Sequence, residues 1–155
     1  IGAGVFGFLI NPPIVLYYSQ GLNTTPIHAH SALYGVYGSL AIALMLFALR
    51  EVTPDRAWDE STMNSAFWWI NGGLVLMLVT GLIPNGFYQL VQSVNYGTWY
   101  ARSAEVISSP WMQWTVWLRI PGDIVFSVGA VMMVYCVGRS LVGIFQQPTQ
   151  LQPLD

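Results

Sequence analysis

The stretch TTPIHAHSALYGVYG, residues 24–38, places two histidines two positions apart at the start of a long apolar segment. Residues 26–49 carry no charged side chain. At about 1.5 Å per residue, a helix of that length crosses a hydrocarbon core of about 30 Å. We therefore predict a transmembrane helix over 26–49. Thr25 is its predicted N-cap, followed by proline at the first helical position, so that His28 and His30 lie near one membrane face.

The composition predicts a membrane protein throughout the chain. Of the 155 residues, 54% are hydrophobic and 8% are charged, and the mean hydropathy is +0.52, whereas soluble domains are about a quarter charged. Three further apolar segments, at 1–20, 63–93 and 110–145, predict spanning helices, the first with a kink at Pro12–Pro13. The predicted fold class is therefore all-α integral membrane, with about four transmembrane helices in a single membrane segment over 1–155.

The connections between these segments are polar. Loops are predicted at 50–62 and 94–109, and a disordered tail at 146–155. The net charge of -2, without a basic face, argues against a nucleic-acid partner. All five basic residues are arginines, and alternating helix directions place Arg50, Arg56 and Arg139 on one side and Arg102 and Arg119 on the other. This bias favours a cytoplasmic position for the loop 50–62.

The spacing of the two histidines limits what they can bind. Residues two apart on an α-helix are separated by about 200°, so the rings of His28 and His30 point to nearly opposite sides. One metal ion held by both is a poor fit, whereas two metal centres, one on each side of the helix, fit well. Haem iron accepts one axial imidazole on a face, and small neighbours such as Ala29 and Gly35 let a flat macrocycle approach. In the alternative interpretation the histidines only hydrogen-bond to neighbouring helices, and the small residues serve helix packing.

Three stretches carry a resemblance to a known family. GAGVFGFLINPPIVLYYSQGLNTTPIHAHSALYGVYG, residues 2–38, resembles the catalytic subunit of bacterial nitric oxide reductases, in the haem-copper oxidase superfamily. GTWYARSAEVI at 97–107 and WLRIPGDIVF at 117–126 are similar to two further motifs of that family. This chain has Ala29 where family members usually have glycine between the histidines. The resemblance implies four helices from the C-terminal part of a twelve-helix-type fold.

The resemblance also implies roles for both histidines. His28 would ligate the high-spin haem b3 of the catalytic centre, and His30 would ligate the low-spin haem b. In the full-length family protein the non-haem iron and the second ligand of the low-spin haem depend on residues of earlier helices. This chain has only two histidines, so the fragment alone is expected to be inactive. Its start at Ile1, inside an apolar stretch, agrees with the middle or end of a longer protein.

The activity implied by the resemblance is the reduction of nitric oxide to nitrous oxide in denitrification. Electrons would come either from quinol or from a cytochrome c subunit. The other expected partners are membrane lipid and the remaining helices of the same subunit. The expected location is the bacterial cytoplasmic (inner) membrane, which the protein would cross several times.

Arg119 and Asp123 lie four positions apart on one predicted helix face, near the same membrane side as the histidines. The simplest interpretation is an ion pair at the membrane interface. Alternatively, Arg119 or Arg102 binds the haem propionates by bidentate contact. Asp123 could instead lie near a quinol or proton path.

Two other functions stay open at this point. One is a fragment of an oxygen-reducing haem-copper terminal oxidase, which differs from the reductase in the metal ligands of its earlier helices. The other is a haem-free transporter segment, in which helices broken at Pro12–Pro13 and Pro84 line a pathway. A reduced-minus-oxidised spectrum without a b-type signal would exclude both haem interpretations.

Overall fold

The computed structural model describes residues 2–146, and within them all regular secondary structure is helical. The α-helices are α1 (Gly2–Ile10), α2 (Pro13–Ser19), α3 (Thr24–Ala29), α4 (Ser39–Val52), α5 (Glu60–Met77), α6 (Ile83–Tyr96), α7 (Ala104–Ile107), α8 (Pro110–Trp117) and α9 (Ile120–Phe145). Two π-helical segments, His30–Gly38 and Leu78–Leu82, join α3 to α4 and α5 to α6. Short 3₁₀ turns lie at Asp55–Ala57 and Tyr100–Arg102. The all-α fold class is confirmed. The tail predicted at 146–155 lies outside the described residues, apart from Gln146.

Among the described residues, three continuous helices are long and apolar enough to cross a membrane: Thr24–Val52, Glu60–Tyr96 and Pro110–Phe145. The segment 1–20, predicted as a further span, is instead divided into α1 and α2. Pro12 is extended (φ -53°, ψ 135°), because a residue that precedes a proline is pushed out of the α region. The predicted kink at Pro12–Pro13 is therefore a complete break between two short helices.

The histidine-bearing helix begins earlier than predicted. Asn23, not Thr25, occupies the N-cap position, and the helix begins at Thr24. The Thr24 hydroxyl donates to the carbonyl oxygen of Ser19 at 2.9 Å instead of capping the helix. The proline two residues later is tolerated because the N–H groups of the first turn have no partner within the helix.

Gly81 and Pro84 do not end the third predicted helix. The backbone widens into the π-helical segment Leu78–Leu82 just before the proline, and α6 then continues to Tyr96. A proline ring clashes with the carbonyl of an α-helical turn, and a π-helical turn is wider. The wider turn therefore lets one helix pass through a sequence that would otherwise break it.

Helices α5 and α9 are antiparallel and closely packed. Small residues recur every seven positions along α9 and all are buried: Gly122, Gly129, Cys136 and Gly143. A Cβ atom on Gly129 would lie 2.6 Å from the amide nitrogen of Ile70, and one on Gly122 would meet the backbone of Met77. Backbone therefore approaches backbone along this α5–α9 seam, as is common where small residues line membrane helices.

Helix α4 has much less support from the rest of the chain. None of its residues is buried. An apolar groove of about 780 Å³ separates it from α9, with Ile42 and Leu49 on one wall and Met133 and Leu141 on the other.

The two ends of the molecule carry different arginines. Arg139, on α9, donates to Asp59 at 3.1 Å, which brings the last turns of α9 beside the loop 50–62. Arg102 donates to the carbonyl oxygen of Gln20, at the end where α3 begins. The division of arginines between two ends thus agrees with the prediction, while the side that faces the cytoplasm stays a prediction.

Candidate functional site

His30 lies at the junction between α3 and the first π-helical segment. Its Nδ1 atom is 2.8 Å from the carbonyl oxygen of Pro26, one turn earlier. A carbonyl oxygen can only accept a hydrogen bond, so Nδ1 carries the proton. The Nε2 atom of the neutral ring then keeps its lone pair. Histidines that ligate metals are typically held in this way, with one nitrogen donating to a carbonyl and the other free to bind.

The His30 ring lines a cavity of about 340 Å³ between its own helix, α5 and α9. Two apolar side chains of α5, Leu74 and Met77, form one wall. Tyr34 and Phe126 form another, with their ring centroids 4.8 Å apart and the rings edge to face. The cavity therefore offers apolar surface on several sides of the imidazole.

One edge of the same cavity is charged, because Arg119 and Asp123 reach it from the start of α9. The predicted ion pair is present: Nε of Arg119 lies 3.1 Å from a carboxylate oxygen of Asp123, and both side chains are partly exposed. The terminal NH₂ groups of Arg119 have no hydrogen-bond partner within residues 2–146. A guanidinium with free donors binds carboxylates in a bidentate manner, so this edge can receive an anionic group.

His28 faces a different neighbour, Gly7 of α1. A Cβ atom on Gly7 would lie 2.9 Å from Cε1 of His28, so the imidazole occupies the space that a side chain there would need. The Nδ1 atom of His28 is buried and has no hydrogen-bond partner among the residues that the structure describes. Because an unpaired buried nitrogen costs free energy, this ring is suited to a ligand that the described residues do not supply.

Arg102, the other arginine proposed from the sequence, does not line the His30 cavity. Its guanidinium instead donates to the carbonyl oxygen of Gln20 and fills the space beside Gly21. Gly21 has a φ of +71°, a conformation that L side chains rarely adopt. Of the two arginines, the structure thus brings only Arg119 together with a histidine.

All three spanning helices depart from regular α geometry near this cavity. Two do so through the π-helical segments His30–Gly38 and Leu78–Leu82, and the third does so where α8 ends and α9 begins. Thr80, within the second π-helical segment, donates to the carbonyl oxygen of Leu118 at 2.7 Å. Irregular turns of this kind recur at functional sites, and here they shape the space around one side of the histidine pair.

The sequence reasoning missed the residues that make room for these side chains. Gly7 lies against His28, and a Cβ atom on Gly81 would lie 2.6 Å from Cβ of Arg119. Gln89 was missed as well, although a carboxamide inside an apolar span is itself a signal of function or of a specific contact. For the glycines, the sequence contains no signal of which side chain will approach.

The donor set suits haem. Each histidine offers a single imidazole to its own side of the helix, and haem iron takes its other equatorial ligands from the macrocycle. The His30 cavity also matches the two chemical faces of haem, with apolar walls for the ring and a guanidinium for the propionates. Within residues 2–146, no group of three or more His, Cys, Asp or Glu residues could hold a metal ion.

Comparison with known proteins bears on the same residues. Residues 1–125, which include both histidines, Arg102, Arg119 and Asp123, match the family described as cytochrome c and quinol oxidase polypeptide I. The chain belongs to this family. Membership of the polypeptide I family makes it a piece of a haem-copper-type oxidoreductase, a family that generally binds haem and spans the membrane several times. The haem-free transporter alternative has no support from the comparisons.

Among polypeptide I relatives, the chain is similar to a nitric oxide reductase subunit from Stutzerimonas stutzeri. The two are 24% identical over 143 residues, which covers 87% of this chain and 29% of the relative. The chain therefore spans less than a third of that protein's length. The resemblance stated from the sequence motifs is confirmed.

Proposed function

We propose that this chain is the histidine-bearing part of a membrane nitric oxide reductase, in which His28 ligates the high-spin haem b3 and His30 the low-spin haem b. The observation that carries the proposal is the geometry of His30. Its Nδ1–H is held by the Pro26 carbonyl, which leaves Nε2 for iron at a cavity that also contains Arg119. The similarity to a known nitric oxide reductase supports the choice of substrate.

The residues of this chain would hold and orient the two haems. The bound haems would supply electron transfer on the His30 side and a gas-binding iron on the His28 side. The Pro26 carbonyl fixes the tautomer and the plane of His30, while Gly7 lets the His28 ring lie against α1. Arg119 would pair with a propionate through its terminal NH₂ groups, and the Asp123 carboxylate keeps Nε of the guanidinium oriented.

The remaining parts of the proposed enzyme lie outside this chain's contribution. Non-haem iron would be held by other helices of the same subunit, so the catalytic centre would form only in the full-length protein. The electron donor would be either quinol or a cytochrome c subunit. Asp123, at the edge of the cavity, could in addition lie near a quinol or proton path.

A second function is favoured by one specific observation. The family that matches 1–125 is described by cytochrome c and quinol oxidases, whose substrate is oxygen. In that case the same two histidines would serve a terminal oxidase, and the difference would lie in the metal ligands of other helices.

The two functions can be separated with the purified full-length protein that contains this segment. We expect a reduced-minus-oxidised spectrum with b-type bands and steady consumption of nitric oxide under anaerobic conditions. Rapid oxygen consumption without nitric oxide consumption would assign the oxidase function instead. A spectrum without any b-type signal would contradict both.

The separate roles of the histidines can be tested by magnetic circular dichroism. In His30→Ala the six-coordinate low-spin signal should disappear, while a high-spin haem that binds a gaseous ligand remains. In His28→Ala the low-spin bands should persist and ligand binding at the high-spin haem should be lost. If either substitution removes both haems from an otherwise folded protein, the model with one haem on each side of the helix is wrong.

The proposed topology places the loop 50–62 in the cytoplasm and 94–109 on the opposite side, where haem propionates lie in this family. Cysteines introduced at Ser61 and Ser108 should react with impermeant reagents from opposite sides of the inner membrane. Labelling of position 61 from the outside would reverse the assignment.

A further inference from the structure

A row of buried polar side chains on α6 is not used by the haem-facing residues described above. Asn85, Gln89 and Ser93 recur every four positions, and none is more than 4% exposed. Each makes a hydrogen bond to another element. Asn85 accepts from the Thr115 hydroxyl of α8, and Ser93 donates to the carbonyl oxygen of Tyr18 at 2.7 Å.

Gln89, at the centre of the row, joins two segments that carry candidate site residues. Its Oε1 atom accepts from both the backbone N–H and the side-chain amide of Asn23, at 2.8 Å each. Its Nε2 atom donates to the carbonyl oxygen of Ala101 at 3.0 Å. Asn23 directly precedes the helix of both histidines, and Ala101 directly precedes Arg102.

Only a carboxamide can make this set of contacts at once. The contact to Asn23 requires an acceptor, and the contact to Ala101 requires a donor, both on one buried side chain. A carboxylate supplies only acceptors when ionised, and an apolar side chain supplies neither. The identity of the residue is therefore matched to the junction and not only to its burial.

The approach of the two helices at this point is unusually close. Gly86 lies one turn before Gln89 on the same face, and a Cβ atom there would lie 3.0 Å from the amide nitrogen of Thr24. The start of α3 consequently rests on the backbone of α6. A close backbone contact beside a hydrogen-bonded clamp leaves the helix start little freedom to slide or turn.

We propose that Gln89 is a positioning residue that sets the height and rotation of the histidine-bearing helix against the segment of Arg102. The inference rests on the proposed ligation of haem by His28 and His30. At about 1.5 Å per residue, His28 lies only about 7.5 Å along the helix axis from Asn23. A rotation of the helix start would therefore be carried directly into the planes of both imidazoles.

The test uses the full-length protein with Gln89→Met, which keeps the length of the side chain and removes all three hydrogen bonds. The control is Gln92→Met, the same change one turn later on α6, where the side chain has no hydrogen-bond partner among the described residues. A milder variant, Asn23→Ala, removes only the side-chain bond to Gln89 and guards against loss of folding in the first variant. The readouts are the g-values of the low-spin haem by electron paramagnetic resonance and its midpoint potential.

We expect Gln89→Met to shift the low-spin g-values and the midpoint potential, Asn23→Ala to shift them less in the same direction, and Gln92→Met to leave them at wild-type values. If Gln89→Met lowers only thermal stability and both signals stay unchanged, Gln89 has a merely structural role and the inference is wrong. If Gln89→Met does not fold, unchanged signals in Asn23→Ala overturn the inference. A wild-type protein without any haem signal would instead overturn the proposed function, so the two failures are distinguishable.

Discussion

The α5–α9 seam and the histidine end of the molecule use their glycines differently. In the seam, Gly122 and Gly129 allow backbone to meet backbone. At the histidine end, Gly7 faces the imidazole of His28, and Gly81 faces the first carbons of the Arg119 side chain. Small residues thus serve rigid packing in one region and make room for candidate site residues in the other.

The difference teaches which parts of the chain can adapt. A Cβ atom that meets a backbone can be accommodated only if a whole helix moves, because interiors are close-packed. A Cβ atom that meets a side chain can be accommodated by a change of rotamer, unless that side chain is itself held by a ligand. Substitutions of glycine by alanine therefore test both regions with the same one-carbon change.

The largest effect is expected for Gly129→Ala in the seam. The new Cβ atom would lie 2.6 Å from the amide nitrogen of Ile70, so we expect a loss of about 1–3 kcal/mol in the free energy of unfolding. Gly138→Ala is the matched control on the same helix, because nothing lies within 4 Å of its Cβ position. That control should be neutral or slightly stabilising, since alanine favours a helix over glycine. Thermal unfolding of the full-length protein in detergent would measure both, and equal stabilities would contradict the close approach of the two backbones.

A smaller effect is expected for Gly81→Ala, at the charged edge of the His30 cavity. Its Cβ atom would lie 2.6 Å from Cβ and 3.2 Å from Cα of Arg119, at the point where α9 begins. The junction between α8 and α9 is already irregular and can shift, so we expect a loss of about 1 kcal/mol and a changed midpoint potential of the low-spin haem. Gly72→Ala, on the same long helix with open space around it, is the control and should change neither quantity.

A still smaller and more local effect is expected for Gly7→Ala. The added carbon would press on the His28 ring, 2.9 Å from Cε1, which can turn without moving a helix. Global stability should change little, but ligand binding at the high-spin haem should weaken, because the ring would leave its wild-type orientation. Gly4→Ala, with nothing within 4 Å of its Cβ position, should bind ligands normally. Unchanged binding in Gly7→Ala would separate His28 from the high-spin haem.

The sequence predicted the parts of this comparison that depend on local pattern. The histidine helix, the loops and the ion pair of Arg119 with Asp123 follow from apolar length and i, i+4 spacing, and the structure contains them. The break at Pro12–Pro13 was underestimated as a kink, because the conformation of Pro12 depends on the proline that follows it.

What the sequence could not predict depends on approaches between distant segments. No local pattern distinguishes Gly7, which faces His28, from Gly4, which faces nothing within 4 Å. The partners of Gln89 are likewise set by tertiary packing, since Asn23 lies 66 residues away along the chain. The heptad of small residues on α9 was present in the sequence, and a search for spacings of seven could have found that face.

The smallest effect is expected at the far end of the seam, where Asp59 caps α5 and also binds α9. Its carboxylate accepts from the backbone N–H of Thr62 at 3.0 Å, from the Thr62 hydroxyl at 2.9 Å and from Arg139 at 3.1 Å. These contacts, the backbone hydrogen bond first, hold the pKa of Asp59 below its usual range. A lowered pKa means that the ionised carboxylate stabilises the folded state above the ordinary carboxylate pKa, and that this contribution is lost as the pH falls through the lowered value.

Asp59→Asn should therefore be slightly less stable than the wild type near neutral pH, and the two should converge as the pH falls below about 4. The matched control is Asp55→Asn, whose partner Arg50 forms a pair that is largely exposed and so contributes little. Thermal unfolding in detergent at several pH values would measure all three proteins. A constant difference between Asp59→Asn and the wild type at every pH would show that the charge of Asp59 does not contribute. In that case the α9 end of the seam would be held by its small residues alone, as the rest of the seam is.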